Sequence, residues 1–273
     1  LRDHAAYCVF FIEMGEKPPM IGTERQKEIA ALVERHGLVK TLELGESFGV
    51  TLSTVRRDLE ILEGEGLLRR VHGGAVSVRG RGYESPYPTR SVSNIDGKRA
   101  IARAAAALVS EGASLALDVG STVLQLAFEL KVLRHLTIVT NNLRAAVELA
   151  EEPSHRVLLT GGVLRPGELS LVGHLAERVY AEFFVDQLFL GAAGVAAREG
   201  VTDFNIEEAL VKKSMLAQAK ERIVLADQTK FERVALTQVG ALAQISRLVT
   251  DAAPPAELRR ALDEAGVEVI VAA

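Results

Sequence analysis

Two sets of residues in this 273-residue sequence have the types and spacing to do chemistry. The first is compact: Thr51, Ser53, Thr54, Arg56 and Arg57 are followed in the same run by Arg69, Arg70 and His72. Hydroxyls and guanidiniums near a helix start are the groups that reach base edges and phosphates from a helix laid in the major groove. The second set is dispersed. It comprises Asp118, Gly120, Ser121 and Thr122; Thr140 and Asn141; Gly161, Gly162 and Arg165; Gly191; Lys212; and Asp227 with Lys230. Small and hydroxyl residues at a strand-to-helix junction offer backbone N–H groups at the positive end of a helix dipole, which suits a phosphate. Any one of these clusters is equally an ordinary turn, because Gly and Asn make turns. Together they describe a polar crevice with cationic side chains at hand.

The first set needs a helix and a hairpin to present it. Thr51 follows the Gly49-Val50 turn and is placed to cap a new helix. Val55, Leu59 and Leu62 recur at spacings of four and three and form one apolar stripe. Ser53, Thr54, Arg56 and Arg57 fall largely off that stripe and face outward. Gly64 and Gly66 end the helix, Arg69, Arg70 and His72 lie on or beside a short strand, and Gly73-Gly74 turn the chain. Upstream, residues 24–37 carry Ile29, Leu32 and Val33 on one helical face, and residues 41–50 form a second short helix with Leu42, Leu44 and Phe48 apolar. Three helices, a Gly-containing turn and a basic hairpin make a winged helix-turn-helix. The alternative is an arginine-studded surface helix ahead of a hairpin.

Residues 24–76 resemble the N-terminal domain of the DeoR/GlpR family of bacterial transcriptional regulators. The resemblance rests on Arg25-Gln26, Phe48-Gly49-Val50, Thr54-Val55-Arg56-Arg57-Asp58-Leu59 and Arg70-Val71-His72-Gly73-Gly74-Ala75. Gly45 departs from it, standing where the family carries alanine in helix 2, at a cost of roughly 0.5–1 kcal/mol in helix propensity.

Length fits two domains. The net charge of −4 means that affinity for nucleic acid has to come from a local patch, here Arg56, Arg57, Arg69, Arg70, Arg79 and Arg81. The sole cysteine, Cys8, excludes an internal disulfide and a Cys-rich zinc site, and a reducing cytoplasm is the default compartment. No apolar run approaches the length of a bilayer span. Residues 1–20 read as a leader outside the working chain, with Met14 or Met20 as its start; the rival is a short extra segment that packs somewhere. Residues 21–76 are then the DNA-binding domain, 77–94 a Gly-, Pro-, Ser- and Arg-rich linker, and 95–273 the effector domain.

From Asp96 onward helical and strand patterns alternate, which argues a doubly wound, mostly parallel α/β sheet. Ligands in such sheets sit beyond the carboxyl ends of the strands, where the dispersed polar clusters fall. In order, those clusters also match the effector domain of the same family: Asp118-Val119-Gly120-Ser121-Thr122, Thr140-Asn141, Gly161-Gly162-Val163-Leu164-Arg165, Phe189-Leu190-Gly191-Ala192-Ala193-Gly194, Glu208-Ala209-Leu210-Val211-Lys212 and Ala226-Asp227-Gln228-Thr229-Lys230-Phe231. The resemblance implies a sensor for a phosphorylated sugar or related metabolite, coupled to release of double-stranded operator DNA. It implies a repressor of carbohydrate catabolism genes, acting as a homodimer or homotetramer in the cytoplasm, with no membrane association, cofactor or metal. The effector fold it implies is similar to that of ribose-5-phosphate isomerases, so the alternative is an isomerase-like enzyme fused to a DNA-binding domain. Aldose–ketose isomerisation needs a carboxylate base, and the positions aligned with those carboxylates are Leu190, Ala193 and Val211. The expectation is binding without catalysis.

Overall fold

The computed structural model describes residues 22–36, 38–77 and 81–272. The leader 1–20, Cys8 and Arg79 lie outside the described residues. The chain divides into two compact units, one ending at Gly80 and one beginning at Arg81.

The first unit runs α1 (Gly22–His36), β1 (Leu38–Lys40), α2 (Thr41–Phe48), α3 (Leu52–Gly64), β2 (Arg69–Val71) and β3 (Gly74–Val76). Ile29 and Val33 of α1, Leu44 of α2, and Val55, Leu59 and Leu62 of α3 close one apolar core, together with Leu68 and Ala75. The periodic stripe of α3 is therefore buried as its spacing predicts. Leu42, predicted to be apolar like Leu44, is exposed, and Leu44 is the α2 side chain in the buried apolar core. The wing has a third strand that the sequence pattern did not disclose, since β3 pairs antiparallel with both β2 and β1. Gly45 sits where α2 meets the start of α3: a Cβ there would lie 3.1 Å from Leu52 Cδ2 and 3.3 Å from the Val50 carbonyl oxygen. A side chain there would need those neighbours to give by a few tenths of an ångström.

A buried ion pair fixes α1 against α3. Asp58 accepts hydrogen bonds from Arg25 Nε at 2.7 Å and from Gln26 Nε2 at 2.8 Å. The Arg25-Gln26 signature thus acts inside the fold, orienting the helix that carries Arg56 and Arg57.

The second unit begins with α4 (Tyr87–Val92) and α5 (Ile95–Ala106), then β4 (Ser114–Leu117), α6 (Ser121–Leu130), β5 (Thr137–Thr140), α7 (Leu143–Leu149) and β6 (Arg156–Leu159). A hairpin of β7 (Val163–Arg165) and β8 (Ser170–Val172) leads into α8 (His174–Glu182) and β9 (Val185–Gly191). Next come β10 (Gly194–Ala196), β11 (Gly200–Asp203), α9 (Ile206–Gln218), β12 (Ala219–Leu225) and β13 (Thr237–Gly240). The chain closes with β14 (Arg247–Thr250), α10 (Ala256–Glu264) and β15 (Glu268–Val271). The main sheet has the order β15-β14-β12-β9-β4-β5-β6, and every pairing in it is parallel. Alternate strand residues feed two cores: Leu115, Leu117, Phe189, Ile223 and Leu225 pack with α5, α6 and α7, while Ala116, Leu188, Leu190 and Val224 pack with α8, α9 and α10. Helices therefore cover both faces, as a parallel sheet requires. The strand order reverses between β4 and β9, and that reversal opens a crevice beyond their carboxyl ends. No helix among the described residues is long and apolar enough to cross a membrane.

The segment expected to be linker is partly folded. Residues 81–94 belong to the second unit and include α4. Tyr87 lies under the guanidinium of Arg144, 4.3 Å from its ring centroid. The Ser-Pro-Tyr-Pro composition conceals this, because the anchoring partners are distant in sequence.

Replacing Asp58 by alanine should destabilise the first unit by about 3 kcal/mol, since it leaves a buried guanidinium without its carboxylate. Chemical denaturation of Asp58→Ala checks this; an unchanged midpoint would show that the pair holds nothing together.

Candidate functional site

The DNA-reading candidates stand on α3 and the wing. Thr51 is the N-cap of α3 and accepts from the Thr54 N–H at 3.3 Å. Its Oγ1 also lies 2.8 Å from Ser53 Oγ and 2.9 Å from Thr54 Oγ1, which gathers three hydroxyls at the helix start. Arg56 and Arg57 are exposed on the next half-turn, and Arg69 and His72 are exposed on the wing. Arg70 differs from its neighbours. Its Nε donates to Glu63 at 2.8 Å and its backbone N–H to the same carboxylate at 2.7 Å, so it ties β2 to the end of α3. Arg56, Arg57 and Arg69 make no ion pair among the described residues, which leaves their charge for a ligand.

The crevice in the second unit encloses about 540 Å³, part of it open to solvent. Its floor is the turn from β4 into α6, Val119 to Val123. Gly120 is the N-cap of α6 and supplies no side-chain cap, so the first N–H groups of the helix are presented to the crevice. Ser121 and Thr122 are each only 8% exposed, and their hydroxyls make no hydrogen bond among the described residues. Gly191, at the end of β9, closes in from the other side; a Cβ there would lie 2.8 Å from the Val119 carbonyl oxygen.

Behind this floor lies a buried charge cluster. Lys212 of α9 meets Asp118 at 2.8 Å and Asp203 at 2.7 Å, and donates to the Gly191 carbonyl at 3.0 Å. Burial opposes its charge, but Asp118, Asp203 and Glu208 outweigh burial and hold its pKa above the usual lysine range. Burial pushes Asp118 up to about 6 against the pull of Lys212. Asp118 also accepts from the Gly191 N–H at 2.9 Å, while its Oδ1 is buried without a partner. Lys212 lines the crevice, yet its charge is fully answered inside the protein.

Lys230 is the contrasting cation. It lines the crevice, half-buried, and no carboxylate lies within ion-pair distance among the described residues. Burial lowers its pKa to about 8; Asp227 works the other way, and Arg233, Arg90 and Lys98 add to the lowering.

Of the residues picked from sequence, Gly120, Ser121, Thr122, Gly191, Lys212 and Lys230 line the crevice, and Asp118 lies directly behind it. Arg165 is joined to it through crevice carboxylates, meeting Glu84 at 2.6 Å and Glu208 at 2.9 Å. The others are placed elsewhere for identifiable reasons. Thr140 donates to the Leu117 carbonyl at 2.8 Å, locking β5 to β4. Asn141 donates to the Leu171 carbonyl at 3.1 Å and accepts from Tyr180 at 3.4 Å. Gly161 is exposed outside the crevice lining, and Gly162 has φ 129° with its α-carbon hard against the Val172 carbonyl, where a Cβ would come within 2.5 Å. Asp227 caps the turn after β12 and pairs with Lys98 at 3.5 Å.

Sequence reasoning missed much of the remaining lining: Glu84, Arg90, Glu168, Asp203, Phe204 and Glu208. Glu208 had a signal, since it opens the motif that ends in Lys212. Glu84 and Arg90 had none, lying in a segment read as linker. The three apolar positions Leu190, Ala193 and Val211 do not make the crevice apolar, although Ala193 lines it. Leu190 and Val211 are core residues, and carboxylates reach the crevice from other elements. Each is engaged, however: Asp203 by Lys212, Glu208 by Arg165 and Ser170, Glu84 by Arg90 and Arg165, and Glu168 by Arg90.

Comparison with known proteins agrees with both units. Residues 25–81 match the DeoR-like helix-turn-helix domain and residues 93–252 the DeoR C terminal sensor domain. The HTH-type transcriptional regulator YulB of Bacillus subtilis is 36% identical over 250 residues, covering 92% of this chain and 96% of the relative. The HTH-type transcriptional repressor CsqR of Escherichia coli is 33% identical over 92% of this chain and 96% of its own length. The glycerol-3-phosphate regulon repressor of Escherichia coli is 30% identical over 90% and 98%. These relatives are named as regulators and repressors, not as enzymes. Among solved structures, ribose 5-phosphate isomerase A of Methanocaldococcus jannaschii aligns over 51% of this chain and 55% of that chain at 21% identity, with a TM-score of 0.39. With both domain models matched in order and relatives aligned over nearly their whole length, the chain belongs to the DeoR family of transcriptional regulators.

Proposed function

We propose that this protein is a sequence-specific repressor that binds double-stranded operator DNA through α3 and the wing, and is released when a phosphorylated sugar or related metabolite occupies the crevice. The observation that carries the sensor half is the uncapped start of α6, with the unpaired hydroxyls of Ser121 and Thr122 beside the half-buried Lys230. Backbone N–H groups, two hydroxyls and one unanswered cation are a fitting set for a phosphate monoester. Asp203 and Glu208 are placed to accept hydrogen bonds from ligand hydroxyls, and Phe204 offers an apolar face. A relative named as a glycerol-3-phosphate regulon repressor supports a phosphorylated ligand.

The mechanism is a population shift: the metabolite binds more tightly to a conformation or assembly whose winged helices no longer fit the operator. One winged helix offers limited contact area, so a homodimer or homotetramer working in the cytoplasm completes the reading. The deciding experiment is a thermal-shift screen of phosphorylated sugars on the full chain, followed by operator release with any that bind. Failure of the whole panel to bind would overturn the sensor half.

On DNA, Arg56→Ala and Arg57→Ala should each weaken operator binding without unfolding the protein. A lost phosphate contact lowers the salt slope by about one and weakens all sequences alike, whereas a lost base contact costs about 1–3 kcal/mol selectively. Normal operator binding by both variants would remove α3 as the reading helix.

Ligand affinity should depend on pH through Lys230. An anion favours its protonated form, which is largely present below its pKa of about 8 and is lost above it. A phosphate monoester is already close to a dianion from pH 7 upward. Affinity should therefore fall as pH rises from 7.5 to 9.5, and Lys230→Met should flatten the profile; a level profile in the unaltered protein would exclude Lys230 from the site.

Lys212→Ala tests the division of labour between the two lysines. It strands Asp118 and Asp203 as buried carboxylates, so it should cost about 3–5 kcal/mol of stability in the sensor unit. A variant that melted normally and merely failed to respond to ligand would instead make Lys212 a direct ligand contact.

A further inference from the structure

The segment that joins the two units supplies part of the crevice wall. Glu84 and Arg90 both line it, and both precede the region in which the sheet begins. Arg90 is held on two sides, by Glu84 at 3.0 Å and by Glu168 at the tip of the β7–β8 hairpin. Its Nε donates to the Ser85 carbonyl at 2.9 Å. Glu84 is shared, its other oxygen meeting Arg165 at 2.6 Å. Beyond α4, the segment is pinned again at the sheet: Asn94 donates to Asp251 at 2.7 Å, and Lys98 meets Asp227 at 3.5 Å. The strap is therefore fixed firmly at its far end. At its near end it is held by ion pairs that face the ligand space, and the Arg144 and Arg90 guanidiniums lie over the Tyr87 ring.

The balance of charge there is telling. Arg90 is a half-buried guanidinium at the crevice whose ion-pair partners are Glu84 and Glu168, and a guanidinium takes a phosphate as it takes a carboxylate, through bidentate, charge-assisted hydrogen bonds. Ser121, Thr122 and Lys230 line the same crevice. We infer that Arg90 is a ligand-binding residue, taken over by the anion from Glu84 and Glu168, so that the strap joining the sensor to the winged helix reports occupancy of the crevice. Val76, the last residue of the wing strand, is only eight positions before Glu84. A change in how residues 84–92 are held is then made in the stretch of chain that follows the end of the DNA-binding unit. This inference rests on the sensor reading and names the contact that couples it to DNA.

The test uses the full chain and inorganic phosphate as the probe, with binding followed by calorimetry and the strap by amide hydrogen exchange. Glu168 contacts Arg90 and competes with the anion, so Glu168→Gln should bind phosphate severalfold more tightly than the unaltered protein. Arg90→Gln should bind it about tenfold more weakly, the loss of one charge-assisted hydrogen bond. Phosphate should change exchange across residues 84–92 in the unaltered protein and leave it unchanged in Arg90→Gln. Glu168 lines the crevice, so its removal also eases repulsion of the anion; a gain owed to Arg90 shows as phosphate-dependent exchange across residues 84–92 in Glu168→Gln, whereas repulsion alone leaves that exchange unchanged. If phosphate bound to the unaltered protein but no more tightly to Glu168→Gln, the inference would fail while the sensor reading stood. That arm decides the matter even if Arg90→Gln fails to fold. Absence of phosphate binding in both the unaltered protein and Glu168→Gln would overturn the inference, and with it the phosphate site beneath it.

Discussion

The sensor unit turns on one ammonium group. Lys212, projecting from α9, bonds to Asp118 beyond β4, to the carbonyl of Gly191 at the end of β9 and to Asp203 at the end of β11. Three strand ends from two different sheets thus meet at a single buried cation, at the point where the strand order reverses. A buried charge is tolerable only when paired and fully hydrogen-bonded, and each of the three ammonium protons has an acceptor. The crevice floor is a consequence: with Asp118 and Gly191 drawn together, the turn into α6 is held with its N–H groups facing outward.

This arrangement sorts the cations by role. Lys212 and Arg165 have lysine and arginine chemistry suited to a phosphate, but their charge is spent on carboxylates of the fold. Lys230 keeps its charge unanswered and accepts a lowered pKa for it. Arg90 lies between these extremes, held by carboxylates that themselves face the ligand space. The same sorting recurs in the first unit. Asp58 consumes Arg25, and Glu63 consumes Arg70, so that Arg56, Arg57 and Arg69 remain available. In both units, ionic contacts within the protein orient the elements that carry the unpaired groups.

The carboxylates of the crevice complicate a simple contrast between enzyme and binder. The aligned catalytic positions are apolar, yet acidic side chains enter from α9, β11, the β7–β8 hairpin and the connecting segment. What separates them from a catalytic base is engagement. Asp203 and Glu208 are committed to Lys212 and Arg165 at distances below 3 Å, so moving a proton would first require breaking a paired contact. They are suited to hold hydroxyls in place.

Local periodicity and short-range motifs made much legible before any coordinates. The Val55–Leu59–Leu62 stripe, the Thr51 cap, the strand–helix alternation and the Asp118–Thr122 turn each depend on neighbours within a few residues, and each was readable for that reason. Only the tertiary structure could separate Thr140, Asn141 and Gly162, which lock elements together, from Ser121, Thr122 and Lys230, which face the crevice, because hydroxyl, amide and glycine serve both purposes equally well. Only it could assign Arg70 to Glu63, or Lys212 to Asp118 and Asp203, since an ion pair between different elements leaves no periodic trace. The segment containing Glu84 and Arg90 is the extreme case. Its prolines and serines describe a linker by every local measure, and its place in the crevice wall is set by Arg144, Arg165 and Glu168, partners more than fifty residues away. The sequence determined the reading helix, the strand–helix alternation and the polar strand ends, while β1 of the wing and α4 left no local mark. Folding decided which charges are neutralised internally and which remain for a ligand, because that depends on distances between residues that the chain order does not encode.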